Sequence, residues 1–397
     1  MNRSFDNFLS SVKYNFKINK KLTISPKFNF SYFIPYHLTA KDGDGSVVPN
    51  GDVYKLNTSR IKGNIEALYS INKNLNILAG IENTYLTAQA KSIFVSFAPE
   101  LGNVASSYFN GKGNINMSSF ATYTQVDFYN PIINITTGLR YDKHSLAGDA
   151  LVPRIALTKT INHFYIKLLY SQAYRLPDIV NITSAVKIDY NGNVVIDENG
   201  IPVKGNLHPE KMYSYELETG YQLAKFLSVS VNVFRNQVYN PVIYRLINGY
   251  DTYSNFGTIG TDGLEASLLF KNKTGYFKFN YSFYKTNENT ISLYEVDDND
   301  DVLLGFPAHK LTFYGSGKLF KRLYINPTIH YYSERYTAYR EGGHTVFSQE
   351  LKSVVMANLF VNYKFNNGIE IGAGVYDILD SKYMHAAEIE SYHAPNY

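Results

Sequence analysis

The chain has 397 residues with no sharp internal shift of composition, and its 38 Lys and Arg nearly balance 34 Asp and Glu without a block of five basic residues. Nucleic acid therefore has no electrostatic footprint to bind. The absence of cysteine excludes a disulfide framework, a thiolate metal site and a cysteine nucleophile.

Hydrophobic residues reach 45% and aromatics 15%, yet mean hydropathy is −0.23, so apolar and polar residues are interleaved as in strands. No run of 18 apolar residues exists, which leaves a β-barrel as the only way for this chain to span a bilayer. Met1 to Asn19 holds Asp6, Lys13 and Lys17 and no apolar core of signal-peptide length.

In chain order, strands are expected to start near Asn7, Leu22, Asn57, Leu75, Met117, Ile132, Leu151 and Phe164, then near Met212, Phe226, Ile259, Gly275, Ala308, Leu323, Leu351 and Ile369, sixteen in all. Five of them alternate plainly. Ile133, Ile135, Thr137 and Leu139 face away from Asn134, Thr136 and Arg140, and Phe164, Ile166, Leu168 and Tyr170 away from Lys167. Leu227, Val229, Val231 and Val233 alternate with Ser228, Ser230 and Asn232, and Phe277, Phe279, Tyr281 and Phe283 with Lys278, Asn280 and Ser282. Leu323, Ile325 and Ile329 oppose Asn326, Thr328 and His330.

A charge on the lipid face near the midplane would cost about 2–4 kcal/mol, and in all five segments the charged and amide groups keep to the other face. A soluble β-sandwich or solenoid is the competing reading. The segments run roughly ten to fourteen residues, against about five or six for typical strands, which favours the barrel.

The links alternate in kind. Short turns lie at Asn19-Lys20-Lys21, Asn72-Lys73-Asn74, Asn130-Pro131, Asn162-His163, Ala224-Lys225, Asn272-Lys273-Thr274, Lys321-Arg322 and Asn366-Asn367-Gly368. Between them run long polar stretches at 36–55, 90–115, 174–211, 238–258, 287–307 and 337–350. Short turns on one edge and long loops on the other are the grammar of an all-β, antiparallel transmembrane barrel with meander topology.

Five stretches then resemble the TonB-dependent receptors of the bacterial outer membrane. Tyr174-Arg175-Leu176-Pro177-Asp178-Ile179 resembles an aromatic-Arg-x-Pro segment, and Leu207-His208-Pro209-Glu210 followed by Tyr215-Glu216-Leu217-Glu218-Thr219-Gly220 resembles Leu-x-Pro-Glu then Tyr-Glu-x-Gly. Gly263-Leu264-Glu265 is similar to a Gly-x-Glu strand entry, and Pro307-Ala308-His309-Lys310-Leu311 to a Pro-x-His-x-Leu hairpin start. Val375-Tyr376-Asp377-Ile378-Leu379-Asp380-Ser381-Lys382-Tyr383 resembles the Asn-Leu-Phe-Asp-x-x-Tyr turn.

The resemblance implies an outer-membrane location, a lipid-embedded wall, a small-molecule ligand such as a metal chelate, and a TonB-type energy-coupling protein as partner of the complete receptor. It implies energy-dependent uptake of a ferric siderophore, cobalamin or an oligosaccharide. Such barrels have 22 strands and a plug. The whole chain, 1–397, is read as one barrel portion with no plug, lacking at least the last strand; sixteen strands then map by parity onto the sixth to twenty-first. A passive porin or adhesin-type barrel is the alternative, and a soluble carbohydrate-binding β-protein a third class.

Catalysis finds no support: Gly-x-Ser-x-Gly, His-Glu-x-x-His and phosphate-loop patterns are absent, and no cofactor is expected. Gly315-Ser316-Gly317 reads as a packing feature within a strand. Asp42-Gly43-Asp44 and Asp297-Asp298-Asn299-Asp300-Asp301 offer oxygen ligands for Ca²⁺ but lack the EF-hand spacing, so no metal site is assigned. Loop aromatics and basic groups are the ligand-contact candidates: Tyr36, His37, Tyr108 and Phe109, and above all Tyr250, Tyr253, Tyr339, Arg340 and His344.

Overall fold

A computed structural model describes residues 2–40, 51–93, 103, 105, 112–198, 200, 202–341 and 345–383. The strands are β1 (Asn2–Lys13), β2 (Phe16–Lys17), β3 (Leu22–Ala40), β4 (Gly51–Asn72), β5 (Leu75–Ile93), β6 (Asn114–Phe128), β7 (Asn134–His144), β8 (Gly148–Ile161) and β9 (Phe164–Arg175). A short helix, α1 (Ile179–Ser184), precedes β10 (Glu210–Ala224), β11 (Leu227–Tyr239), β12 (Val242–Ile247), β13 (Tyr250–Asn255), β14 (Thr258–Asn272) and β15 (Gly275–Asn287). After a 3₁₀ turn at Ser292–Tyr294 come β16 (His309–Leu319), β17 (Leu323–Tyr332), β18 (Arg335–Glu341), β19 (Thr345–Leu351), β20 (Val354–Lys364) and β21 (Glu370–Val375).

Seventeen strands share one sheet, while β12–β13 and β18–β19 are separate hairpins. β2 merely continues β1 along the same partner: β1 meets β3 from Asn2↔Thr39 to Lys13↔Lys27, and β2 meets it at Phe16↔Ile24. Seventeen less that continuation leaves the sixteen wall strands expected. Wall neighbours pair antiparallel, as in β4–β5, β5–β6 and β14–β15, and β11 pairs β14 across the inserted hairpin just as β17 pairs β20. The chain divides into two compact units, Met1–Ile155 with Gln172–Lys211 and Asn240–Phe256, and Ala156–Ser171 with Met212–Tyr239 and Gly257–Tyr397.

Asparagine shapes the short turns. The Asn19 carboxamide oxygen accepts from the Lys21 and Leu22 amides at 2.8 and 2.9 Å, Asn130 from Ile132 and Ile133 at 2.8 and 3.1 Å, and Asn272 from Thr274 and Gly275 at 2.8 and 3.1 Å. Each side chain satisfies amides that a tight turn strips of ladder partners.

Register confirms the two faces. Across the second unit one row reads Val231, Ala266, Tyr281, Leu311, Tyr331, Val355; the adjacent row reads Ser230, Ser267, Asn280, Thr312, His330, Met356. Apolar and polar residues separate by strand parity, because successive side chains point to opposite faces. Phe277 lies parallel to Phe313, centroids 5.9 Å apart, and a Cβ on Gly315 or Gly317 would meet the Phe277 ring at 2.4 or 2.8 Å. Gly315-Ser316-Gly317 is thus a packing feature.

Two stretches expected to be open loops are not. Residues 238–258 hold β12–β13, and 337–350 fall largely in β18–β19, so the strand expected from Leu351 starts as β20 at Val354. The physical cause in the first case is Asn248-Gly249, both at positive φ (51° and 82°), the geometry of a two-residue hairpin turn whose twist matches its strands.

Candidate functional site

Within the first unit the resemblance motifs meet. Arg175, at the end of β9, grips Glu210, the first residue of β10, with two parallel hydrogen bonds, the Nε–Oε2 one at 2.6 Å. Glu210 is buried and also accepts the Val242 amide at 2.5 Å, which ties β12 to the same carboxylate. Pro177 is fully buried, and Asp178 caps α1, accepting the Asn181 amide at 2.8 Å while Asn181 returns a bond to the Asp178 amide.

Behind this clamp Ala185, Leu207 and Val242 form a small dry core, against which Tyr253 packs. Asn255 stitches the far side, accepting the His208 amide at 2.8 Å and donating to the His208 and Asn240 carbonyls at 3.0 and 2.8 Å. Fully buried Thr252 accepts the Val186 amide at 3.0 Å. The segment 176–209 and the β12–β13 hairpin are therefore one folded platform.

From the platform project Tyr190, which is 97% exposed, together with exposed Tyr244 and Leu246. Tyr190 sits in the first of two similar segments eight residues apart in sequence, Ile188-Asp189-Tyr190-Asn191-Gly192 and Ile196-Asp197-Glu198-Asn199-Gly200. In each, the glycine amide donates to the aspartate carbonyl at 3.1 Å. Arg245 places its guanidinium carbon over the Phe256 ring, 4.2 Å from the centroid, a cation–π contact.

The polar wall is charged but paired. In the first unit Glu82 takes Lys62 at 2.8 Å and Arg140 at 3.1 Å, Arg140 also binds both oxygens of buried Asp142 at 2.7 Å, and the Tyr123 hydroxyl donates to Glu66 at 2.8 Å. In the second, Glu218 accepts from Tyr165 at 2.6 Å and Lys167 at 2.9 Å. Gly220 makes this possible, because a Cβ there would stand 2.2 Å from the Tyr165 ring. Beside them an open recess of about 520 Å³ is lined by Glu218, Asn232, Glu265, Lys278, Asn280 and Lys310 among others. The buried Asn232 carboxamide oxygen has no hydrogen-bond partner there.

The sequence profile of the TonB-dependent receptor-like β-barrel matches residues 2–378. The chain belongs to this family. Comparison with curated protein sequences gives no match. Among solved structures, a mutant of the ferric enterobactin receptor of Pseudomonas aeruginosa is 16% identical with a TM-score of 0.74, over 98% of this chain and 58% of its own. The siderophore receptor PirA of Acinetobacter baumannii is 15% identical, TM-score 0.69, over 95% and 58%. The FrpB iron transporter of Neisseria meningitidis is 12% identical, TM-score 0.72, over 98% and 61%. At such identities the likeness shows the fold, and this receptor-like chain spans about three-fifths of each of those chains.

The ligand-contact candidates fare unequally in this receptor-like barrel. Tyr250 opens β13 opposite Ile247 and is half-exposed, whereas Tyr253 is core packing, edge-on to Tyr244 at 5.8 Å. Tyr339 and Arg340 lie in β18, paired with Phe347 and Val346. Their side chains, that of Tyr36, and all of Tyr108, Phe109 and His344 lie outside the described residues, as does Asp42-Gly43-Asp44. His37 places Nδ1 3.4 Å from the Ser4 hydroxyl. Sequence reasoning missed Tyr190, Tyr244 and Arg245; the eight-residue repeat and Asn248-Gly249 were the legible signals.

The remaining motifs are also structural. His309 Nδ1 lies 2.8 Å from the Tyr281 hydroxyl, its ring stacked on Phe283 at 4.9 Å, and the Asp377 amide donates to Asn358 at 2.8 Å. The Asp run is held by the second hairpin: Asp297 accepts from the Ser348 amide at 3.0 Å and hydroxyl at 2.9 Å, which keeps its carboxyl below the usual aspartate range.

Proposed function

We propose that this chain forms the wall and external ligand platform of a bacterial outer-membrane receptor for energy-dependent uptake of a scarce nutrient, with a ferric siderophore as the leading ligand. The observation that carries the reading is the platform itself. A loop of more than thirty residues is bolted to two wall strands through Glu210, and with the β12–β13 hairpin it exposes Tyr190 and Tyr244, with half-buried Tyr250 and Arg245 on the same hairpin. Rigid aromatic side chains and a guanidinium suit an anionic metal chelate, and two of the similar structures are a ferric enterobactin receptor and a siderophore receptor. Tyr253 has a supporting part, and Tyr339, Arg340 and His344 are kept as ligand-contact candidates from the sequence alone.

On this reading the plug lies outside residues 1–397, and a TonB-type protein acts through it. The test is uptake of ⁵⁵Fe-loaded catecholate siderophore by cells whose only siderophore receptor is the full-length protein carrying this barrel. Uptake should saturate, should stop when the energy-coupling protein is deleted, and should weaken when Tyr190 and Tyr244 are replaced by Ala together. Uptake that persists without energy coupling would instead favour the passive porin.

A further inference from the structure

The short turns are basic, and the longest acidic run lies in a long loop. Among the short turns of the first unit, the β2–β3 turn holds Lys20 and Lys21 and the β4–β5 turn Lys73. In the second unit Lys225 lies between β10 and β11, Lys273 between β14 and β15, and Lys321 and Arg322 between β16 and β17. Across all eight short turns no Asp or Glu occurs between the strand ends. The loop from β15 to β16 is the reverse, with Glu288, Glu295, Asp297, Asp298, Asp300 and Asp301 and no basic residue.

None of the seven turn cations makes an ion pair among the described residues, and the six lysines are exposed. The short turns also show large apolar side chains: Ile18 is 58% exposed and Phe320 86%, each in a turn that carries cations, and Ile132, in the β6–β7 turn that carries none, 81%. Phe320 does so at φ 52°, a conformation that is an outlier for a bulky residue. An acidic polymer in water would satisfy the lysines and leave Ile132 and Phe320 hydrated. A lipid headgroup region satisfies both, since phosphate meets the ammonium groups while the apolar groups enter the acyl boundary.

We propose that the short-turn edge is a binding surface for anionic phospholipid, the turn lysines engaging headgroup phosphates. The proposal rests on the outer-membrane reading above. Each lysine near an anionic surface contributes about 1 kcal/mol, or about fivefold in local preference.

The test uses the purified protein in phosphatidylcholine vesicles carrying a trace of spin-labelled phosphatidylglycerol, with electron paramagnetic resonance reading the protein-bound lipid fraction. We expect preference for phosphatidylglycerol over phosphatidylcholine at low salt. It should fall several-fold with Lys20→Gln, Lys21→Gln and Lys73→Gln combined, and with high salt, while Lys187→Gln and Lys204→Gln on the platform leave it unchanged. Gel heat-modifiability shows that the barrel is inserted, which separates this result from failure of the membrane reading. If the triple variant does not insert, the salt titration of the unaltered protein decides. A wild-type protein without lipid preference, or with one that ignores salt and the turn substitutions, overturns the proposal. So does charge-dependent binding to peptidoglycan alongside unchanged lipid selectivity.

Discussion

The wall and the platform obey opposite solvent rules within one chain. Wall strands turn Val233, Leu268 and Phe279 outward, each more than 40% exposed, and hold Glu82, Arg140 and Asp142 on the other face. The platform does what a water-soluble domain does, burying Ala185, Leu207 and Val242 beside the hydrogen-bonded side chains of Thr252 and Asn255. The difference teaches that "inside" is set by the medium and not by the fold. Burial of apolar surface organises the platform, whereas the wall is organised by backbone pairing between neighbouring strands and by keeping charge to one face.

The sharpest way to break that contrast is to put a charge on each wall face in turn. Val231→Arg places a guanidinium in the apolar row beside Ala266, and near the midplane this should cost about 2–4 kcal/mol. Ser230→Arg, one residue away on the polar row, should change little. Urea-folding titrations in vesicles measure both, and equal losses would overturn the face assignment.

Next comes close packing of the polar face. Gly220→Ala pushes a methyl into the Tyr165 ring and displaces its bond to Glu218, an overpacking effect of about 1–3 kcal/mol. Adding Tyr165→Leu should restore most of the stability in the same titration; absence of rescue would locate the strain elsewhere. Smaller still is Glu210→Gln, which weakens the Arg175 clamp. Because Arg175 is 60% exposed, solvent screens the pair and the loss should be about 1–2 kcal/mol. It should be confined to the platform: limited proteolysis should cut 176–209 faster while the wall stays resistant. A global loss would mean that platform and wall are not separable.

The same contrast explains what the sequence made legible. Wall strands such as Leu227–Tyr239 declared themselves through strict parity over a dozen residues, so sixteen strands could be placed from alternation together with the short-turn signals between them. The platform has no such period. Its order comes from contacts between residues far apart, Arg175 with Glu210 and Glu210 with Val242, which no local pattern reveals. The family-like motifs were visible as strings, but that two of them form one clamp was not. Tyr250 and Tyr253 looked equivalent in sequence and are both half-buried, and only the packing of Tyr253 against Ala185, Leu207 and Val242 sets them apart.

The smallest expected effect lies at Asp297, which ties the acidic loop to β19. Its carboxylate accepts both the Ser348 amide and hydroxyl, and these bonds lower its pKa below the usual value. A group with a depressed folded pKa adds stability that is fully present above the unfolded value and is lost as pH falls through the folded one. The tie should therefore be fully present from neutral pH down to the ordinary aspartate value near 3.9 and be lost progressively below it. Hydrogen-exchange mass spectrometry of the 345–351 peptide, corrected for intrinsic rates, should show protection steady to about pH 4 and falling below it. Ser348→Ala should shift that fall upward, since the carboxylate then loses its hydroxyl donor while keeping the amide. An unchanged profile in the variant would assign the protection to the β18–β19 ladder alone.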